Sequence, residues 1–244
     1  TMGKPFHAGM AASNGIEAAK LSKLGFVSRE DGIECEQGFF LTHGWDKKIP
    51  PRAIENLGTD FLFPEIKYKF HACCHGLHSF LEALDELKLE NNFNPETIEE
   101  IEIETNPSWL KVCNIEKPKT GLESKFSYKL TAAMSIYGKD TSDLDTYSDD
   151  ICFDDNMNNI RDKVRVIPND QLSNTQSLIS IKDGSRNVQN KHDLSDKIEN
   201  DILETKILNK SVSLLSETKS NQISRILNAP NENKVNALVD CLVS

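Results

Sequence analysis

The stretch at residues 100–105 reads EIEIET, so that isoleucine or threonine stands at every second position with glutamate between them. Successive side chains of a β-strand point to opposite faces of a sheet, and this period of two therefore predicts a half-buried strand with an acidic outer face. Val164 and Val166 repeat the alternation, and a further strand is predicted to run from Leu178 into the turn dipeptide Asp-Gly at 183–184. The middle of the chain is thus predicted to form a small sheet.

Helical patterns surround this sheet. Apolar residues at positions 77, 80, 81, 84 and 87 predict a helix over about 74–87, with Glu82 on its opposite, charged face. A short strand is expected just before it, at 66–70. Strands in the middle with helices at both ends predict an α+β fold. The other predicted helices cover residues 6–24, 36–42, 51–57, 121–137, 196–215, 219–227 and 233–243.

Composition excludes several classes of function. The formal net charge is −10, so no excess of lysine and arginine is present to bind a nucleic acid. No window approaches the roughly 18–20 uncharged apolar residues that a membrane span needs, and no signal peptide opens the chain. The six cysteines lack the spacing of a disulfide framework. Reduced thiols in the cytoplasm are therefore expected.

An aspartate-rich segment, residues 140–155, carries seven Asp and no Lys or Arg. A calcium loop is conceivable there, but the glycine and terminal glutamate of the EF-hand pattern are missing. We interpret the segment as a solvated loop.

The densest group of chemically useful side chains lies at residues 69–78, which read KFHACCHGLH. Cys74 and His78 are spaced to share a helical face and, with a third ligand, to hold zinc. Zinc ligands usually come from two separated segments, however, and the chain offers no second CxxC or HxxxH pair, so no metal is assigned. Buried structural thiols are a second alternative. We favour a substrate site at a strand-to-helix junction, where free N–H groups and Lys69 attract a carboxylate.

A second candidate lies at residues 3–9, GKPFHAG, which place Lys4 and His7 near a helix start beside small residues. Taken alone, these two side chains are equally typical of a solvated helix terminus.

Five stretches in register resemble the C-terminal half of the MmgE/PrpD family. The family comprises 2-methylcitrate dehydratase, cis-aconitate decarboxylase and iminodisuccinate epimerase. The resemblance covers the whole chain and rests on residues 4–19, 69–78, 125–133, 164–168 and 182–184.

The resemblance implies a two-domain enzyme without a cofactor. Residues 1–64 would belong to a large helical domain, 65–193 would form a small α+β domain, and 194–244 would return to the helical domain. The substrate would be a small di- or tricarboxylate, and the shared chemistry would be proton transfer next to a carboxylate. The implied catalytic residues are Lys4, Lys69 and His78, and the implied substrate-binding residues are His7, Cys74 and His75.

Two departures from the family pattern bear on the reaction. Cys74 stands where cis-aconitate decarboxylase has histidine, and Ala72 replaces the usual proline. These differences argue against decarboxylation and leave dehydration and epimerisation open.

A further departure is that the helical N-terminal half of the family has no counterpart here. We therefore expect a fragment or a split-gene product that pairs with the missing half or forms a homodimer, and that is not a competent catalyst alone. The rival interpretation is a non-catalytic interaction or subunit protein that keeps only the C-terminal half of the fold.

Overall fold

A computed structural model describes residues 3–44, 56, 58–61, 63, 66–230 and 234–243. The chain divides into two compact units, residues 1–66 and residues 67–244. None of the described helices combines the length and the apolar composition that crossing a bilayer requires.

The first unit contains the helices α1, Gly3–Lys23, and α2, Phe39–Thr42. The helix predicted over 6–24 is therefore confirmed, and every described side chain of α1 is exposed. The helix predicted over 36–42 is reduced to its last turn. Of the helix predicted over 51–57, only Asn56 lies within the described residues.

The second unit is built on a four-stranded sheet in the order β2-β1-β3-β4. The strands are β1, Ile98–Thr105; β2, Val164–Pro168; β3, Gln176–Asp183; and β4, Arg186–Asp193. The pair β1–β2 is parallel, whereas β1–β3 and β3–β4 are antiparallel.

The alternation of apolar and polar residues correctly predicted which side chains of the sheet face the core. Ile101 and Ile103 are fully buried in β1, and Ile179 and Ile181 are fully buried beside them in β3. Val164 is 2% exposed, and Val166 packs at the margin of the core. The predicted hairpin is also confirmed, because Gly184 adopts the positive φ of 59° that the tight turn between Asp183 and Arg186 requires.

Helices cover one face of the sheet and continue beyond it. They are α3, His78–Glu90; α4, Pro107–Cys113; α5, Gly121–Ser124; α6, Tyr128–Ile136; α7, Asp155–Asp162; α8, Asn200–Leu215; α9, Glu217–Asn228; and α10, Lys234–Val243. Buried side chains of α3, α6 and α7 form one core with the sheet. The α+β prediction is confirmed, and the C-terminal helices fall within the second unit.

Two elements differ from the prediction for local reasons. The segment 66–70 is not a strand, since no strand of the described residues pairs with it. The helix predicted over 121–137 is interrupted, because Ser127 is extended and caps a new helix by accepting a hydrogen bond from the Leu130 amide. Ser127 also forms an isolated β-bridge with Asn114.

Candidate active site

The segment 69–78 runs from an extended stretch into a 3-10 turn at His75–Leu77 and then into α3. The amide of Ala72 donates to the Thr141 carbonyl at 2.8 Å, and the amide of Cys74 donates to the Lys125 carbonyl at 2.9 Å. The helix therefore begins later than the sequence predicted, and loops on either side of α6 hold the segment in place.

Gly76 allows the turn to pack closely against α4. A β-carbon added at Gly76 would come within 2.5 Å of the Trp109 ring and 2.8 Å of the Cys113 sulfur. The Gly76 carbonyl accepts a 2.6 Å hydrogen bond from the buried hydroxyl of Tyr128. Any larger side chain here would push the turn away from α4.

Three histidine rings lie in a row behind this turn. The ring centroid of His78 is 5.2 Å from that of His71 and 5.3 Å from that of His75. His78 is fully buried, and neither of its ring nitrogens has a hydrogen-bond partner among the described residues. Burial, together with the neighbouring His71, His75 and Lys69, lowers the pKa of His78 to about 2. His78 is therefore a neutral imidazole at physiological pH.

His75 is the half-buried member of the row. Burial lowers the pKa of its imidazole, and the positive charge of Lys69 lowers that pKa further. A neutral, partly accessible imidazole beside an ammonium group can accept a proton.

His71 connects the row to a buried carboxylate. Its Nδ1 lies 2.7 Å from the hydroxyl of Thr141, and its Nε2 lies 3.3 Å from a carboxylate oxygen of Glu82, short of hydrogen-bond geometry. Glu82 is 5% exposed and forms an ion pair with Lys206 of α8. Burial acts to raise the pKa of Glu82, but the nearby His71 together with the hydrogen bond and positive charge of Lys206 outweighs it and lowers that pKa to about 2.

Lys69 supplies an exposed positive charge at the start of this segment. Its charge lowers the pKa of His75 and His78. Burial raises the pKa of Cys73 to about 12, and the charge of Lys69 acts in the opposite direction. Burial lowers the pKa of Lys210 on α8, and Lys69 contributes to that shift by repulsion. The charge of Lys69 thus acts on the histidines, on the Cys73 thiol and on Lys210 of α8.

The two buried thiols near this segment, Cys73 and Cys113, have raised pKa values. Cys113 is fully buried, and its hydrogen bond with the Cys74 thiol, together with burial, raises its pKa. Within the described part of the chain, no group of three His, Cys, Asp or Glu side chains is arranged to hold a metal ion. The zinc alternative for Cys74 and His78 therefore gains no support from the geometry.

Comparison with known proteins gives the relationship directly. Residues 71–229 match the model of the MmgE/PrpD C-terminal domain, which is more than half of the chain. The chain belongs to the MmgE/PrpD family. It is also 33% identical over 89 residues to the cis-aconitate decarboxylase-like protein oryM of Aspergillus oryzae. The aligned part is 34% of this chain and 18% of that relative. Membership supports a lyase-type role at the level of the family.

The candidate residues fall into two groups in this MmgE/PrpD chain. The second unit brings together Lys69, Cys74, His75 and His78, although Lys69 lies just outside the range matched by the family model. Lys4 and His7 lie exposed in the first two turns of α1, in the first unit. Their assignment to the same site stays a prediction.

Sequence reasoning missed His71, Glu82 and Lys206. Glu82 was placed on the charged face of its helix, which is wrong: it is buried beside Leu81 and Ala83. A signal was present, because His78 and Glu82 are four residues apart and therefore lie on one helical face. Nothing in the local sequence indicates that Lys206 is the partner.

Proposed function

We propose that this chain is part of a cofactor-independent lyase or isomerase that acts on a small polycarboxylate by moving a proton next to a carboxylate group. The observation that carries the proposal is that one short segment holds, six residues apart, an exposed ammonium, Lys69, and a half-buried imidazole, His75, whose pKa is lowered by burial and by the charge of Lys69. The family relationship supports the reaction class, and the acid itself is part of the proposal.

Lys69 has the properties of the carboxylate-binding and charge-stabilising group. Abstraction of a proton next to a carboxylate builds negative charge on that carboxylate, and a fixed cation stabilises this charge most in the transition state. Because the cation is at the surface while the imidazoles are inside, a substrate would meet Lys69 first.

His75 is the better candidate for direct proton transfer. His78 is fully buried with a pKa of about 2, and this argues against direct contact between His78 and a substrate. We therefore propose that His78 supports the ring of His75 from behind. Cys74 precedes the turn and would line the site beside His75.

Lys4 and His7 are proposed to add a second cation and a second imidazole from the first unit. Their support is the match of residues 4–19 to the family pattern. Two cations would suit a substrate with two or three carboxylates better than one.

The test is proton exchange and turnover measured by NMR in D₂O. This chain, supplied with the helical N-terminal half that the family carries, is incubated with 2-methylcitrate, cis-aconitate or iminodisuccinate, and both product and deuterium next to the carboxylate are followed. Lys69→Ala is expected to lower kcat/KM by at least about 10²-fold. Lys67→Ala, which removes an exposed lysine two residues earlier, is the matched control and should leave turnover unchanged.

The kinetic pattern separates the possible roles of Lys69. Loss of kcat indicates stabilisation of the transition state, whereas a raised KM with unchanged kcat indicates binding alone. Equal kcat/KM in the wild type and Lys69→Ala would remove Lys69 from the mechanism. Turnover of none of the three acids, with no binding of citrate, would favour the non-catalytic interaction protein.

A further inference from the structure

The ion pair between Glu82 and Lys206 is an unusual feature of the second unit. Glu82 is buried in α3 between Leu81 and Ala83, which are both fully buried. Its cation comes from another helix, 124 residues along the chain. The carboxylate side of the pair is buried, whereas the Lys206 side chain is 36% exposed. Burying a carboxylate costs desolvation energy that offsets its attraction to the cation, so such a pair seldom stabilises a fold more than apolar side chains of the same size. Stability alone therefore does not account for an acidic residue at this position.

The contacts of the pair lead to the residues that follow Lys69. The ammonium of Lys206 lies 5.0 Å from the centroid of the Phe70 ring, a cation–π contact. The carboxylate of Glu82 faces the ring of His71, and the other side of that ring is held by Thr141. The backbone immediately after Lys69 is thus enclosed by α3, α8 and the loop at Thr141.

A second contact fixes α8 to the same loop. Lys210, one turn beyond Lys206, donates a 2.5 Å hydrogen bond to the carbonyl of Ser142, next to Thr141. The side chain of Ser213 also donates to that carbonyl, at 3.4 Å. A shift of α8 would therefore be transmitted to both Phe70 and the loop that holds His71.

We propose that Glu82 and Lys206 are positioning residues, which hold Phe70 and His71 and so direct the ammonium of Lys69 toward a substrate carboxylate. The proposal rests on the function proposed for Lys69. It makes a C-terminal helix a determinant of carboxylate affinity, although no residue of that helix needs to touch the substrate.

The test separates positioning from folding by means of a double variant. Lys206→Met keeps the stem over Phe70 but leaves the Glu82 carboxylate buried without its cation, so both the unfolding temperature and carboxylate binding should fall. Glu82→Gln combined with Lys206→Met leaves no unpaired charge, and its unfolding temperature should return close to that of the wild type. Its affinity for citrate, the probe in calorimetric titration, should nevertheless remain about 10-fold or more weaker.

Two further variants complete the comparison. Lys206→Arg keeps the charge and should retain most of the citrate affinity. Lys197→Met removes an exposed lysine ahead of α8 and should change neither property. If the double variant recovers both its unfolding temperature and the wild-type citrate affinity, the pair is merely structural and the proposal is overturned.

An NMR measurement distinguishes failure of this proposal from failure of the proposed function. The main-chain amide signals of residues 69–71 should move in the stable double variant, because the segment is no longer held. Unmoved signals would contradict positioning whether or not citrate binds. Conversely, equal citrate affinity in the wild type and Lys69→Ala would overturn the role of Lys69, while the amide signals would still decide the role of the pair.

Discussion

The hydroxyl of Tyr128, at the start of α6, donates a 2.6 Å hydrogen bond to the carbonyl of Gly76 in the turn before α3. The same hydroxyl lies 3.2 Å from the hydroxyl of Thr105 at the end of β1. All three groups are buried, so one hydroxyl joins the candidate site to the helical layer and to the sheet.

Removing this hydroxyl should destabilise the second unit. Tyr128→Phe leaves the Gly76 carbonyl and the Thr105 hydroxyl buried with one partner fewer, which typically costs about 1–3 kcal/mol. The free energy of unfolding in urea measures the loss. Tyr137→Phe removes a hydroxyl from a half-buried ring at the end of the same helix and should have a smaller effect. Equal losses in the two variants would show that the Tyr128 hydrogen bond contributes nothing specific.

Close packing at Gly76 leads to a second prediction. In Gly76→Ala, the new methyl group overlaps the Trp109 ring and the Cys113 sulfur, and such overpacking typically costs about 1–3 kcal/mol. Trp109→Leu should relieve part of the overlap, so the double variant should lose less stability than the two single losses added together. Strict additivity in urea unfolding would contradict the contact. Gly9→Ala in α1 is the control, because nothing lies within 4 Å of its β-carbon position.

The core strands of the sheet were predictable from the sequence, whereas the strand expected at 66–70 was wrong and the polar contacts of the site were not predictable. The alternation at residues 100–105 is a local signal, and β1 follows from it directly. Glutamate in a helix is usually exposed, so the pattern around Glu82 predicted the wrong face. The contacts that define the environment of His71 come from Thr141, 70 residues away, and through Glu82 from Lys206. Only the folded chain brings these groups together.

Buried histidine predicts how stability depends on pH. The pKa of His78 is about 2 in the folded chain and ordinarily 6.5, so below pH 6.5 the unfolded chain binds a proton that the folded chain does not. Stability should therefore fall with acidification, by up to about 1.4 kcal/mol per pH unit from this group. His75 adds to the same trend, because its pKa is also lowered. Glu82 contributes only below its ordinary value of 4.5, as its carboxylate becomes protonated.

Between pH 6.5 and 4.5, the predicted change in unfolding free energy therefore comes from His78 and His75 and not from Glu82. His78→Leu removes the titrating group at similar volume and should flatten the loss of unfolding free energy across this window. His43→Gln, which removes an exposed histidine, is the control. Parallel pH profiles for the wild type and His78→Leu would show that His78 is accessible to protons in the folded chain.

The buried thiols provide the last prediction. Iodoacetamide reacts with thiolates. Burial raises the pKa of Cys73 to about 12, and the hydrogen bond with Cys74, together with burial, raises the pKa of Cys113. At pH 7.5 both should be alkylated at least about 10²-fold more slowly than the half-buried Cys35 of the first unit. Peptide mass spectrometry over a time course measures each rate, and urea should abolish the difference. Fast alkylation of Cys73 in the folded chain would reveal an accessible thiolate beside Lys69, and a nucleophilic cysteine would then replace the lysine and imidazole as the reactive groups of this site.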